Sequence, residues 1–453
     1  MKRYEAYRSC NIPWIKQIPD HWISQRGKNL YKKEQRAVKD TDEVVTCFRD
    51  GRVTLRKNRR TTGFTEALNE FGYQGIRKGD LVIHVMDAFA GAIGVSDSDG
   101  KGTPVYNVCT PKGDSNNYYY AYALREMARA GFIQSLYRGI RERSSDFRFD
   151  VFARQYLPVP PRDEQDQIVR YLDWQVSKIN RLIAAKRKQI ELLKEHKEAF
   201  INTAVTRGIV GDIPLKESGM QWLPKVPAHW KTVPAKALFR NISELRHEDD
   251  PMLAATQKYG LIEQAEYMRR ENRRIVLAND NLDKWLHVEP NDFIISLRSF
   301  QGGLEKCDKP GCVTWHYVVL RPQQHVYPPF YKWFFKSASY IGALQKTSDF
   351  IRDGQDLRFS NFVKVGLFVI PMAEQVKIAD RLDSEIPKYQ KAIDTLEKEI
   401  QQIIEYRTRL ISDVVTGQID VRGIEIPDDE RAEEFAFPDN TEEESEDIAD
   451  EEE

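Results

Sequence analysis

The chain repeats itself at a spacing of about 210 residues, and this constrains its fold more than any other feature. IPWIKQIPDHWISQRGKNLYK near the start places Trp14, Pro19, His21, Trp22, Leu30 and Tyr31. MQWLPKVPAHWKTVPAKALFR matches them with Trp222, Pro227, His229, Trp230, Leu238 and Phe239 at a constant offset of 208. Further on, GDLVIHVMDAFAGAIG answers NDFIISLRSFQGGLEK, aligning Asp80 with Asp292 and Gly91 with Gly303. Both read as a buried strand followed by a loop of small residues. At an offset of 210, Arg148-Phe149 meets Arg358-Phe359, Phe152 meets Phe362, Pro161 meets Pro371, and Glu164-Gln165 meets Glu374-Gln375.

Each half then continues into a long helix with an apolar stripe. In the first, Ile168, Leu172, Val176, Ile179, Ile183, Ile190, Leu193, Phe200 and Ala204 step by three and four. Ile378, Leu382, Ile386, Tyr389, Ile393, Ile400, Ile403, Leu410 and Val414 reproduce the stripe 210 residues later. Lys186 and Lys197 leave the seam imperfect but continuous. A helix of about 37 residues is roughly 55 Å long, more than one small domain covers. The pattern predicts two helices packed against each other as an antiparallel coiled coil with a globular domain at each end, related by a pseudo-two-fold axis. The alternative is two amphipathic helices, each docked on its own domain. Pro387 predicts a kink.

The fold class expected is therefore mixed α/β (α+β), with two similar domains separated by two long helices. The boundaries are residues 1–161 and 211–371 for the domains, 162–210 and 372–427 for the helical regions, and 428–453 for a tail. That tail holds 15 Asp and Glu against one Arg. It reads as a disordered block of like charge. Its net −14 against −1 for the whole chain leaves +13 on residues 1–427, so the body is basic, as a polyanion-binding protein requires.

Other composition narrows the class. No run of about 18 apolar residues exists to span a membrane, and the N-terminus lacks the apolar core of a secretory signal, so a cytoplasmic protein is expected. The five cysteines, Cys10, Cys47, Cys109, Cys307 and Cys312, read as scattered reduced thiols, since Cys307 and Cys312 have no second Cys or His pair at zinc spacing beside them. No metal and no cofactor are expected.

These residues resemble the specificity subunit of type I restriction-modification systems. The resemblance rests on the opening of each half, a Trp followed after four residues by Pro-x-His-Trp, on the Arg-Phe to Pro-x-x-Glu-Gln passage, and on the helix ends AVTRG (204–208) and VVTGQID (414–420). It covers nearly the whole chain; the acidic tail departs from it. It implies two target-recognition domains, each reading half of a bipartite site on double-stranded DNA. It further implies that the helices dock two methyltransferase subunits and that restriction and translocase subunits join through them.

No active site is expected in the chain itself. SDSDGKGT (96–103) fails as a phosphate loop, because five residues intervene between Gly94 and Gly100 and Gly102 follows Lys101. It reads as a polar hairpin turn. YPPF (327–330) fails as an amino-methylating motif, because Tyr327 cannot bond an amine as Asp or Asn does, and reads as a helix start with Pro in its first turn. The eight histidines are dispersed without an HExxH or comparable cluster. His21 and His229 are expected to pack or hydrogen-bond beside Trp22 and Trp230.

Between the shared elements the halves diverge, as two readers of different half-sites must. The candidate DNA-binding residues of the first half are Arg52, Arg56, Lys57, Arg59, Arg60, Asp87, Lys101, Arg143 and Arg148. Those of the second are Arg269, Arg270, Arg273, Arg274, Arg298, Ser299, Gln301, Arg352 and Arg358. Such arginine clusters serve phosphate contacts and, for one or two of them, guanine readout. The competing readings are a solvated charged face, a stand-alone two-domain DNA-binding protein, and an enzyme with a fused catalytic domain.

Overall fold

The computed structural model describes residues 2–427 apart from 60–70, 137–145, 210, 212, 257, 272–280, 297–298 and 348–356, and apart from the side chains of Phe300 and Gln301. The described chain forms two compact bodies, Met1–Arg187 with Lys398–Glu453, and Lys188–Glu397.

The first body contains strands β1 (Ile23–Arg26), β2 (Tyr31–Lys33), β3 (Leu81–His84), β4 (Ile93–Val95), β5 (Tyr106–Pro111) and β6 (Tyr156–Val159). It also contains helix α1 (Asn117–Arg129) and the first part of α2 (Arg162–Arg207). Its sheet runs β2-β5-β3-β4 with antiparallel neighbours, and β6 pairs with β1 from Val159↔Ile23 to Tyr156↔Arg26. Leu81, Val82 and Ile83 of β3 are all fully buried, because both faces of this central strand are covered. Its aromatic core gathers Trp22, Tyr31, Tyr119, Tyr120, Phe147 and Phe152.

The second body contains β7 (Lys231–Val233), β8 (Phe239–Ile242), β9 (Leu286–Val288), β10 (Phe293–Ile295), β11 (Glu305–Lys306), β12 (Gly311–Val313), β13 (Val318–Pro322) and β14 (Leu367–Val369). Its helices include α3 (Gln264–Glu271), α4 (Pro328–Phe334) and most of α5 (Met372–Val415). The sheet order β8-β13-β10-β11 and the pair β7-β14 reproduce the first body strand for strand. The registers agree as well, with Tyr31↔Pro111 in one and Phe239↔Pro322 in the other. Trp230, Phe239, Phe293, Tyr331, Phe335 and Phe362 fill the core, and the helices close it with Ile201, Val205, Ile378 and Leu382.

The repeat also fixes two turns. Gly91 has φ +97° and Gly303 φ +77°, and a Cβ on either would approach a carbonyl oxygen, Arg49 at 2.9 Å or Phe335 at 2.1 Å. Glycine is the residue that tolerates both conditions.

The long helices exceed the expected length at 46 and 44 residues, because each starts directly after its Pro rather than at the first stripe residue. Helix α5 continues across Pro387. Within the first body, Arg407 donates to Asn180 at 2.6 Å and Lys186 pairs with Glu399 at 2.6 Å, so numbers rise on α2 as they fall on α5. Within the second, Tyr389 bonds His196 at 2.8 Å and Lys197 reaches Gln390 at 3.3 Å. Ile168, Leu172, Val176, Ile179, Ile183, Ile190, Ile378, Leu382, Ile386, Ile393 and Ile400 are buried, while Leu193 and Ile403 are half-buried.

Two local expectations are resolved. Residues 96–99 do not close a hairpin: the strands on either side take different partners, Ile93–Val95 pairing with β3 and Gly100–Gly102 with Gln74–Ile76. Pro328 and Pro329 do begin α4, after Tyr327 as the N-terminal cap residue. The four cysteines other than Cys10 are buried and all five are free thiols.

Candidate nucleic-acid interface and the clasp that positions it

Each body is tied to its long helix by one glutamate at the helix start. Glu164 is 3% exposed and accepts from Trp22 Nε1 at 3.0 Å, His21 Nε2 at 2.8 Å and the Tyr4 hydroxyl. Glu374 accepts from Trp230 Nε1 at 3.2 Å and His229 Nε2 at 2.7 Å. A carboxylate on the first turn of a helix is also favoured by the helix dipole. The neighbouring glutamines complete the clasp. Gln165 takes the Asn116 amide at 2.9 Å and donates to Pro160 O at 2.8 Å. Gln375 takes the Tyr327 amide at 2.8 Å and donates to Ile370 O at 2.8 Å. The sequence marked these residues as repeated, and the structure shows the reason: they join three separated segments of each body.

Asp80 and Asp292 repeat in place but differ in partner. Asp80 pairs with Arg36 and accepts the Arg77 amide at 2.8 Å; Asp292 pairs with Arg321 at 2.8 Å and accepts the Glu289 amide at 2.9 Å. The arginine thus comes from beyond the edge strand β2 in one body and from the central strand β13 in the other.

The basic candidates lie largely on loops. Arg52 is exposed in the turn between Val45–Cys47 and Val53–Leu55, where its amide bonds Asp50 at 3.0 Å. Arg56 donates to Thr46 Oγ1 at 3.3 Å, Lys57 pairs with Glu43, and Arg59 pairs with Asp50 over the Phe48 ring. Lys101 lies on the strand Gly100–Gly102. Asp87 bonds Arg49 at 3.3 Å and its amide donates to His84 Nδ1 at 3.1 Å. Burial holds the His84 imidazole below its ordinary pKa against the pull of Asp87. The loop Phe89–Gly91 borders a cavity of about 410 Å3 that Arg125, Glu126 and Arg407 also line. Arg148 is exposed and pairs with Asp146 at 2.6 Å.

In the second body Arg269 and Arg270 are exposed on α3, and Arg270 packs 5.0 Å over Tyr259 while pairing with Glu266. Arg358 is exposed, and its amide donates to Asn361 Oδ1 at 3.1 Å as the short helix Phe359–Phe362 begins. Ser299 is 1% exposed and turned inward, accepting the Ser296 amide at 2.8 Å. Arg60, Arg143, Arg273, Arg274, Arg298 and Arg352, with the Gln301 side chain, lie outside the described residues. Among the described residues no helix is long and apolar enough to cross a membrane.

No family model matches the chain. In sequence it is 22% identical over 319 residues to the "Putative type I restriction enzyme MjaX specificity subunit" of Methanocaldococcus jannaschii, covering 67% of this chain and 68% of that protein. In structure it aligns with a chain described under "Structural basis underlying complex assembly and conformational transition of the type I R-M system". That match has a TM-score of 0.61 and 14% identity over 89% of this chain and 99% of that one. The HsdS subunit from Thermoanaerobacter tengcongensis aligns at TM-score 0.49 and 15% identity over 90% and 98%. The shared fold is carried by the first of these two structures. In sequence the chain is similar to a type I restriction enzyme specificity subunit, and in fold to a chain of a type I restriction-modification system.

Proposed function

We propose that this chain is the DNA-recognition subunit of a cytoplasmic type I restriction-modification complex and contributes no catalytic group of its own. Each body reads one half of a bipartite site on double-stranded DNA. The domains at 1–161 and 211–371 act as the readers, and the helical regions at 162–210 and 372–427 dock two methyltransferase subunits, through which restriction and translocase subunits join. The observation that supports this best is duplication with divergence. The same sheet order and Glu clasp occur twice, while the segments carrying Arg52 to Arg59 and Arg269 to Arg270 differ in sequence and in local structure. A binder of one repeated element would gain nothing from divergent segments on a preserved frame.

Phosphate contacts fall to exposed Arg52, Lys57, Arg148, Arg269, Arg270 and Arg358, and base contacts are assigned on sequence position to Asp87, Arg298 and Gln301. Paired as an antiparallel coiled coil with pseudo-two-fold symmetry, α2 and α5 act as a ruler that sets the spacer between half-sites.

The test is co-expression of the chain with the methyltransferase subunit from the same genome, followed by mapping of methylated bases. A bipartite methylated motif that disappears without this chain supports the proposal. Methylation that persists without it, or failure of the two proteins to co-purify, overturns it.

A further inference from the structure

One cluster in the second body belongs neither to the clasp nor to the basic loops. Glu244 and His247 lie three residues apart after β8, and His287 is the central residue of β9. One ligand atom from each of the three lies within 4.8 Å of the others. The imidazole rings of His247 and His287 stack with centroids 3.9 Å apart, and His247 Nε2 is 3.3 Å from Glu244 Oε1. His287 is 3% exposed, while Glu244 and His247 are exposed.

The backbone holds these groups in place. The His287 amide donates to Glu244 O at 2.8 Å, and the Arg246 amide donates to Trp285 O at 2.9 Å. The loop is therefore stapled to β9 on both sides of the cluster. The His247 amide donates to Asp250 Oδ2 at 2.8 Å. The same oxygen takes His287 Nδ1 at 2.8 Å. That bond orients the ring and holds Nδ1 as the outer-facing donor, the outer-sphere arrangement common to metal-binding histidines, so a metal would take Nε2 in place of the proton that nitrogen shares with Glu289. Glu289 Oε1 stands 3.1 Å from Nε2. Arg321 holds Glu244 by Oε2 at 3.6 Å, leaving Oε1 facing His247.

We propose that Glu244, His247 and His287 form a binding site for one divalent transition-metal ion of the zinc type, with Asp250 as positioning residue. Two imidazoles and a carboxylate suit zinc, cobalt or nickel and disfavour magnesium or calcium, which take oxygen donors. Donors about 2.0–2.2 Å from one ion are themselves about 3–4 Å apart, so small side-chain rotations bring this set onto a metal. Water or Glu289 completes the coordination. Three carboxylates, Glu244, Asp250 and Glu289, surround the two imidazoles, and a dication would offset their charge.

The site is a property of the second body alone. The backbone bond from His287 to Glu244 has its counterpart in the bond from the Gly75 amide to Arg36 O at 2.9 Å. Where the second body has Glu244, His247 and His287, the first has Arg36, Lys39 and Gly75. Bound metal would cross-link the loop 244–250 to β9 and stiffen one reader only.

The experiment uses the full chain, stripped with a chelator and titrated with Zn2+ by calorimetry and with Co2+ by visible absorption. One equivalent of Zn2+ and a Co2+ ligand-field band without a thiolate charge-transfer band are expected. His247→Gln and Glu244→Gln alter exposed side chains and keep the fold, which circular dichroism checks. Each should weaken Zn2+ binding at least tenfold, and Asp250→Asn should weaken it about 10–100-fold. Absence of stoichiometric binding overturns the proposal. So does unchanged affinity in His247→Gln, which would put the ion elsewhere.

Discussion

The indole nitrogen of Trp22 donates to the Glu164 carboxylate at 3.0 Å, across 142 residues of chain, and the contact recurs between Trp230 and Glu374 at 3.2 Å. The two copies are not energetically equal. The Glu164 side chain is 2% exposed and collects the Tyr4 hydroxyl in addition, whereas Glu374 is 17% exposed. Glu164→Ala leaves three donors without their acceptor and should cost roughly 3 kcal/mol. Glu374→Ala leaves two, closer to water, and should cost roughly half as much. Denaturant melts followed by Trp fluorescence compare them; equal losses would contradict this ranking.

What the sequence disclosed follows from what duplication preserves. His21, Trp22, Glu164 and Gln165 were visible because their mates stand at offsets of 208 and 210, and the near-constant spacing also gave the helix stripes and the shared sheet. The partner of Asp292 was not visible. Arg36 serves Asp80, yet the aligned position holds Glu244, and Arg321 takes the role from another strand. The histidines read as dispersed because His247 and His287 are 40 residues apart, and only the pairing of the loop with β9 brings their rings together. Ser299 looked like a reader by position but bonds a buried amide, a difference that loop geometry alone decides.

Asp173 gives the first body a pH-dependent stability. Burial on α2 pushes its carboxyl up to about 7, although the Tyr122 hydroxyl donates to it at 2.9 Å and works in the opposite direction. The folded state therefore keeps a proton that the unfolded chain loses near the ordinary carboxylate pKa. Stability falls as pH rises from about 4 to about 7, and the full penalty is present above that. Asp173→Asn removes the penalty and keeps an acceptor for Tyr122. Its melting temperature should exceed that of the parent at pH 8 and approach it at pH 4, and a gap independent of pH would refute the assignment.

Arg407 is a buried charge without a carboxylate partner among the described residues. It is 6% exposed, donates to the neutral Asn180, and has its pKa lowered by burial and by nearby Arg125 and Arg187. Desolvation of such a group opposes folding, and an apolar side chain of similar length avoids it. Arg407→Met should leave the melting temperature unchanged or raise it. A clear fall would mean that the guanidinium contributes more through its hydrogen bond than burial removes.

If the exposed arginines contact phosphates, salt dependence reveals them one at a time. Arg52 and Arg269 are both exposed, and they lie in different bodies. Each phosphate contact releases condensed counterions, so losing one lowers the slope of log K against log salt by about 0.9. Arg52→Ala and Arg269→Ala should each weaken binding to a duplex carrying the methylated motif and reduce the slope by about that amount. With no shared partner, their effects should add in the double variant. A base-reading arginine behaves differently, since its loss weakens binding to the cognate duplex more than to a scrambled one. Fluorescence anisotropy on both duplexes at three salt concentrations separates the two roles, and a variant that changes neither slope nor preference removes that residue from the interface.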